Sequence, residues 1–171
     1  MKFTAQQNIS KRLALSMSKG FTLIELIIVI AILGVLAAVL ITTIDPLDKI
    51  NAANDAGAIS TISQLGKAND TYASSNSNLY PIATTFAGVV TALNTAGEVK
   101  YSSVAQPSGY SAYVYFAPAG CVAGSQVSCT TYVFYTQVKS KKYTATPFYM
   151  YANGKGCVQA SAPTDSTATC P

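Results

Sequence analysis

The chain reads as three patterns in succession. From Phe21 to Ile44 sixteen of 24 positions are Ile, Leu, Val or Phe, and Glu25 is the one charge. A helix of that length spans roughly 36 Å, enough to cross a bilayer core. At about −0.3 to −0.6 kcal/mol each, the apolar residues favour insertion by roughly 5–10 kcal/mol, against about 3 kcal/mol for one acid at mid-membrane. After Asp45 the period stays helical but turns amphipathic. Leu47, Ile50, Ala58, Ile62, Leu65, Ala68 and Tyr72 fall on one face, with Asp48, Asp55, Lys67 and Asn69 opposite. This predicts a helix over about 46–74 with Asp45 as its cap and Pro46 at its first position. Ser74–Asn78 breaks it. A second helix is expected at 84–95, burying Phe86, Val89, Val90 and Leu93 and stopping at Ala96-Gly97.

The third pattern is strand-like. Segments 110–117, 130–138 and 143–151 are rich in β-branched and aromatic residues, punctuated by Gly109, Pro118–Gly120, Lys139–Lys142 and Asn153-Gly154. Three to four antiparallel strands follow, with the long helix laid on one face. The expected class is α+β: a long N-terminal helix, first membrane-spanning and then amphipathic, packed on a C-terminal antiparallel sheet. Nine of the eleven tyrosines lie between 101 and 151, which suits sheet packing.

Charge adds orientation. Residues 1–20 carry Lys2, Lys11, Arg12 and Lys19 and no acid, whereas residues 21–171 carry seven lysines and seven acids. The net charge of +4 therefore sits before the span and predicts a cytoplasmic N-terminus with the rest exported. It does not point to nucleic acid. The lysines 139, 141 and 142 read as a solvated turn, with an anionic surface or DNA as the lesser alternative. A secretory signal peptide has an apolar run of 7–15 residues before a small-residue cleavage site. This run is far longer, and Ala37-Ala38 is followed by more of it.

A carboxylate inside a spanning helix is costly and usually has a partner. A cut before Phe21, which the resemblance described next implies, would create an α-amine one helical turn from Glu25. Packed copies could then pair one chain's amine with the next chain's carboxylate, setting their register. Gly34 and Ala38 form a small-xxx-small face that lets such helices approach closely.

Lys19-Gly20-Phe21-Thr22-Leu23-Ile24-Glu25 resembles the processing site of a type IV pilin precursor. The resemblance implies a leader, residues 1–20, cut by a prepilin peptidase between Gly20 and Phe21. It implies N-methylation of Phe21 and an assembly role for Glu25. It also implies a polymerisation helix over 21–44 and an exported domain over 45–171. That domain would hold a helix to about 74, a variable region at 75–109, a sheet at 110–160 and a tied-down tail to 171. Gly34 and Pro46 would bound a backbone stretch that loses helical form in the assembled fibre. The implied partners are further copies of the chain in a helical homopolymer, the peptidase, an assembly platform protein, an assembly ATPase and the membrane. The implied use is a pilus filament for adhesion, motility or DNA uptake, made at the cytoplasmic membrane and then extracellular.

Cys121, Cys129, Cys157 and Cys170 all fall on the exported side, where an even number reads as two disulfides. Three connectivities are open; Cys121–Cys129 and Cys157–Cys170 give the shortest loops and are favoured. Zinc is disfavoured, since the chain has no histidine and no C-x-x-C pair. Without histidine, Ser-His and Cys-His nucleophiles are excluded. No phosphate-binding glycine loop and no acid pair suggests catalysis, so neither enzyme activity, cofactor nor metal is expected. Asn69-Asp70-Thr71 matches a glycosylation sequon of the kind that often occurs by chance.

Two rival functions remain. A pseudopilin of a type II secretion system would share everything up to Pro46. Its major form usually carries a calcium-binding acidic loop near the C-terminus, where this chain has Asp165 alone. A single-pass, membrane-anchored extracellular binding module would keep its N-terminus and stay monomeric.

Overall fold

The structure, a computed structural model, describes residues 20–118, 120–121 and 129–171. The expected leader, apart from Gly20, and the interior of the loop between Cys121 and Cys129 lie outside the described residues. The chain divides into two compact units at Ile44/Asp45.

The first unit contains one described helix, α1, Leu23–Thr43. It starts at Thr22, whose side chain accepts the Glu25 backbone N–H at 3.3 Å. In return Glu25 Oε2 accepts the Thr22 backbone N–H at 2.9 Å and the Thr22 hydroxyl at 2.8 Å. This reciprocal capping box satisfies donors that a helix start leaves open. The helix ends where Ile44 turns extended (φ −102°, ψ 113°) and Asp45, ahead of Pro46, does the same. A proline disfavours helical backbone in the residue before it, so the two helices are separate elements.

The second unit begins with α2, Pro46–Ser75, capped by Asp45, which accepts the Asp48 N–H at 3.1 Å. Its buried stripe is Asp55, Ala58, Ile62, Leu65, Gly66, Asn69 and Ala73. Two expectations are corrected here. Leu47 and Ile50 are 66% and 58% exposed, because the sheet packs only on the later turns of α2. Asp55 and Asn69, placed on the polar face, are 1% and 0% exposed. The helix stops at Ser77 and Asn78, both with positive φ, and Asn78 N–H closes back on Ala73 O at 2.9 Å. A short helix α3, Phe86–Thr95, follows. Thr85 caps it and Gly97 (φ +83°) ends it, with Val89, Val90 and Leu93 inward.

Four strands form an antiparallel meander in sequence order: β1 Val114–Phe116, β2 Val133–Gln137, β3 Phe148–Ala152 and β4 Lys155–Gln159. The fourth arises from a tight hairpin at Asn153 (φ 52°) and Gly154 (φ 78°), the positive-φ pair that a two-residue turn demands. The first three strands are shorter than expected. The stretch at 110–113 carries no ladder, and Lys141–Tyr143 forms a 3-10 turn between β2 and β3.

The alternation of the strands builds two cores. Tyr113, Tyr115, Phe134 and Tyr151 join Ala58, Ile62, Leu65, Val89, Val90, Leu93 and Tyr132 beneath α2 and α3. Val133, Met150 and Ala152 face the other way, packed against Phe116, Tyr135, Cys157, Ala168 and Cys170. The C-terminal tail thus closes the second face of the sheet. The fold is α+β and pilin-like, as its pattern predicted.

Candidate assembly site

The expected working surface is α1. Every residue from Leu23 to Ile41 is exposed, from Leu23 at 77% to Ile41 at 69%. The stretch is long and apolar enough to cross a membrane. An apolar surface this large has to be covered by lipid or by other chains. Gly20 and Phe21 precede the helix in exposed, non-helical backbone, with Phe21 84% exposed. Glu25 lies at the third helical position, its carboxylate turned onto the Thr22 N–H and hydroxyl. Gly34 lies inside regular helix, and no atom comes within 4 Å of a Cβ built there. Pro46 is the first residue of α2, where its missing N–H costs nothing.

The second unit is held by two carboxylates on α2. Asp55 Oδ1 accepts the Tyr110 hydroxyl at 2.7 Å and the Lys139 N–H at 2.8 Å, and Oδ2 accepts the Ser140 N–H at 2.8 Å. Burial pushes the Asp55 carboxyl up, but the donors of Ser140, Tyr110 and Lys139 together hold it below the usual range. The Tyr110 hydroxyl is pushed well up by its burial and by Asp55. Asp70 gathers three tyrosines: Tyr132 at 2.7 Å, Tyr151 at 3.2 Å and Tyr80 at 3.4 Å. Burial and the Asp70 charge raise Tyr151 to about 12 and Tyr132 further.

The lysine turn is not free decoration. Lys141 Nζ lies 2.6 Å from Asp45 Oδ2, and its backbone N–H donates to Asp48 Oδ1 at 2.6 Å. Lys139 Nζ donates to Gly109 O and sits over the Tyr110 ring. The turn is thereby fastened to the start of α2. Asn69 is fully buried, so the sequon it begins is closed to modification in the folded chain. Neither its Oδ1 nor its Nδ2 finds a partner among the described residues.

Cys121 is bonded to Cys129, and Cys157 to Cys170. The first bridge stands beside Tyr80, whose N–H donates to Cys129 O at 2.8 Å. The second ties the tail to β4. Among the described residues no three His, Cys, Asp or Glu side chains come together as a metal-ligand set.

A family model described as the prokaryotic N-terminal methylation motif matches residues 15–41, the stretch that runs through Gly20, Phe21, Glu25 and nearly all of α1. No curated protein and no solved structure matches the chain. The matched residues resemble a prepilin-type, class III N-terminal signal, and together with the α+β fold they support a type IV pilin- or pseudopilin-like reading of the chain. Such a signal supports a membrane anchor, processing by a prepilin peptidase, and a structural rather than an enzymatic role.

Proposed function

We propose that the protein is a structural subunit of a type IV pilus. The leader, residues 1–20, is cut after Gly20, Phe21 is N-methylated, and residues 21–44 then leave the bilayer for the core of a helical fibre. The observation that carries this reading is the coincidence of the methylation motif with a helix in which no described apolar side chain from Leu23 to Ile41 is buried. Glu25 has a further role in assembly. Its carboxylate already accepts from the backbone at the helix start, so the α-amine of a neighbouring mature chain is a chemically matched additional donor. Gly34 and Pro46 bound the segment whose helix is free to extend in the fibre. The domain from Asp45 to Pro171 coats the outside. Two disulfides and two tyrosine-ligated carboxylates suit prolonged exposure outside the cell.

The pseudopilin reading shares the N-terminal half of this argument. Its acidic calcium loop has no counterpart in Asp165, whose carboxylate closes a local turn on the Thr167 N–H and hydroxyl at 2.8 and 2.6 Å. Intact mass of the protein from sheared surface fibres tests the proposal. A chain that starts at Phe21, carries one added methyl group and takes up two hydrogens per disulfide on reduction supports it. A chain that keeps residues 1–20 and stays in the membrane defeats it in favour of an anchored binding module.

A further inference from the structure

The start of α2 is built unlike the rest of the exported surface. Leu47 and Ile50 project 66% and 58% exposed, and the exposed Lys49 belongs to the same turn, on a different side of the helix. The 3-10 turn is fastened alongside by Lys141, through Asp45 Oδ2 and Asp48 Oδ1. That brings the exposed Lys142 and the half-buried Tyr143 to the same end, with Lys142 Nζ 5.0 Å above the Tyr143 ring. Asp45 is bonded to Ile44, the residue that leaves α1. Chain length alone therefore keeps Lys49 within about 18 Å of the end of the span, even fully extended.

The charges at this end divide unevenly. Asp45 is answered by Lys141, and Asp55 is turned inward on Tyr110, Lys139 and Ser140. Lys139 Nζ is held at Gly109 O. Lys49 and Lys142 are left pointing out, against Asp48, which already accepts the Lys141 N–H. An exposed apolar pair with lysines and a tyrosine at the same end of the domain has the composition of a membrane interface, where apolar side chains enter the acyl boundary and cations meet phosphates.

We propose that this end is a membrane-docking surface. Leu47 and Ile50 enter the headgroup boundary of the leaflet from which α1 emerges, and Lys49 and Lys142 rest on phospholipid phosphates. The proposal rests on the reading of α1 as a membrane span. The occupant is lipid rather than a second copy on grounds of charge. Beyond this patch and the tyrosine-bound Asp70, the acids a second exported domain offers are Glu98 and Asp165, against the continuous phosphate layer of a leaflet. Docking would hold the domain against the membrane before assembly.

The test places the full chain, one copy per lipid nanodisc, in phosphatidylcholine with and without phosphatidylglycerol. Its lysines are acylated with an amine-reactive ester, and each rate is read by peptide mass spectrometry. Lys67, Lys100 and Lys155, exposed elsewhere, are internal standards. Lys49 and Lys142 are expected to react about threefold or more slower than the standards, and slower again with the anionic lipid. In the double variant Leu47→Ser/Ile50→Ser, which touches no core residue, the protection is expected to vanish. Equal rates on a chain that is firmly in the disc would overturn the docking and leave the span standing. A chain that does not enter the disc would overturn both. Protection that appears only in crowded vesicles would assign the surface to a second copy and overturn the lipid.

Discussion

The ring of Tyr151 occupies the space where a Cβ on Gly66 would stand. The helix and the sheet touch there backbone to ring, and the Gly66 carbonyl accepts the Tyr132 hydroxyl at 3.0 Å. Gly66 is thus a point of close approach between α2 and β3. In an ordinary exposed helix position, replacing glycine by alanine stabilises by about 0.5–1 kcal/mol. At Gly66 the added methyl falls among the Cγ, Cδ1 and Cε1 atoms of a buried ring, and overpacking of that kind costs about 1–3 kcal/mol. Gly66→Ala is expected to be destabilising on balance. Gly57→Ala, nine residues earlier and with no atom within 4 Å of its Cβ, is expected to stabilise. Denaturant titration of the two variants checks both signs.

The Asp70 tyrosines make the domain sensitive to alkali. Their hydroxyls are held in the protonated form by burial and by the neighbouring carboxylate, with Tyr151 raised to about 12. A raised folded-state value contributes stability that is complete below the unfolded value, about 10 for tyrosine, and is lost as pH climbs through the folded one. Stability should be flat to about pH 10 and fall steeply towards pH 12. Absorbance of ionised tyrosine near 295 nm should rise together with the loss of near-ultraviolet circular dichroism. A smooth tyrosine titration that precedes unfolding would count against a buried cluster.

Asp55 gives the opposite limb. Its folded value lies below the usual carboxylate range, so its contribution is present above about pH 4 and disappears as pH falls through the folded value. Asp55→Ala would leave the Tyr110 hydroxyl and the Lys139 and Ser140 N–H groups without their acceptor, at a cost of about 2–4 kcal/mol. The acid midpoint of the variant should be less steep than that of the parent, as read by circular dichroism between pH 2 and 6.

The same residue shows where the hydrophobic pattern stops being informative. Helical periodicity placed the start and end of α2 within a residue or two, because the Asp45-Pro46 start and the Ser-Asn-rich stop are local signals. It put Asp55 outside, because a wheel treats every carboxylate as solvated. The donors that bury it come from Tyr110, Lys139 and Ser140, more than fifty residues away, and no local pattern contains them. Leu47 and Ile50 fail for the converse reason. Their spacing fits the stripe, yet the sheet does not reach that far along the helix. Gly66 carried only the signal of a glycine within a helical run, which marks a close approach without naming the partner. At the candidate site the legibility was higher. The processing motif, Glu25 and the apolar run are contiguous in sequence, so nothing about them had to be assembled by folding.

The Cys157–Cys170 bridge should matter beyond loop entropy. It pins Ala168 and Cys170 over Val133, Met150 and Ala152, the core on the second face of the sheet. The double variant Cys157→Ser/Cys170→Ser is expected to lose about 2–4 kcal/mol. It should also bind a hydrophobic dye under native conditions, because the freed tail uncovers that face. Dye binding no higher than in the parent would mean that the tail stays down without its bridge.

Glu25 caps α1 and, in the proposed fibre, would also pair with a neighbouring chain, and two substitutions divide these duties. Its carboxylate completes the capping box with Thr22, a duty that glutamine performs almost as well because its side-chain oxygen still accepts the Thr22 N–H. Pairing with the α-amine of a neighbouring chain needs the charge, and glutamine lacks it. A precursor with Glu25→Gln is therefore expected to insert, to be cut and to keep its helix. It is expected to fail in polymerisation, since the desolvated amine of the next subunit would be left unpaired at a cost of about 3–5 kcal/mol. Glu25→Ala should show the same assembly defect plus fraying of the first turn, worth about 0.5–2 kcal/mol of cap energy. Fibre yield after shearing, set beside the intact mass of the membrane-bound chain, reads both steps in one preparation. If Glu25→Gln forms fibres as readily as the parent while Glu25→Ala does not, the residue serves α1 as a cap and the register of the filament is set elsewhere.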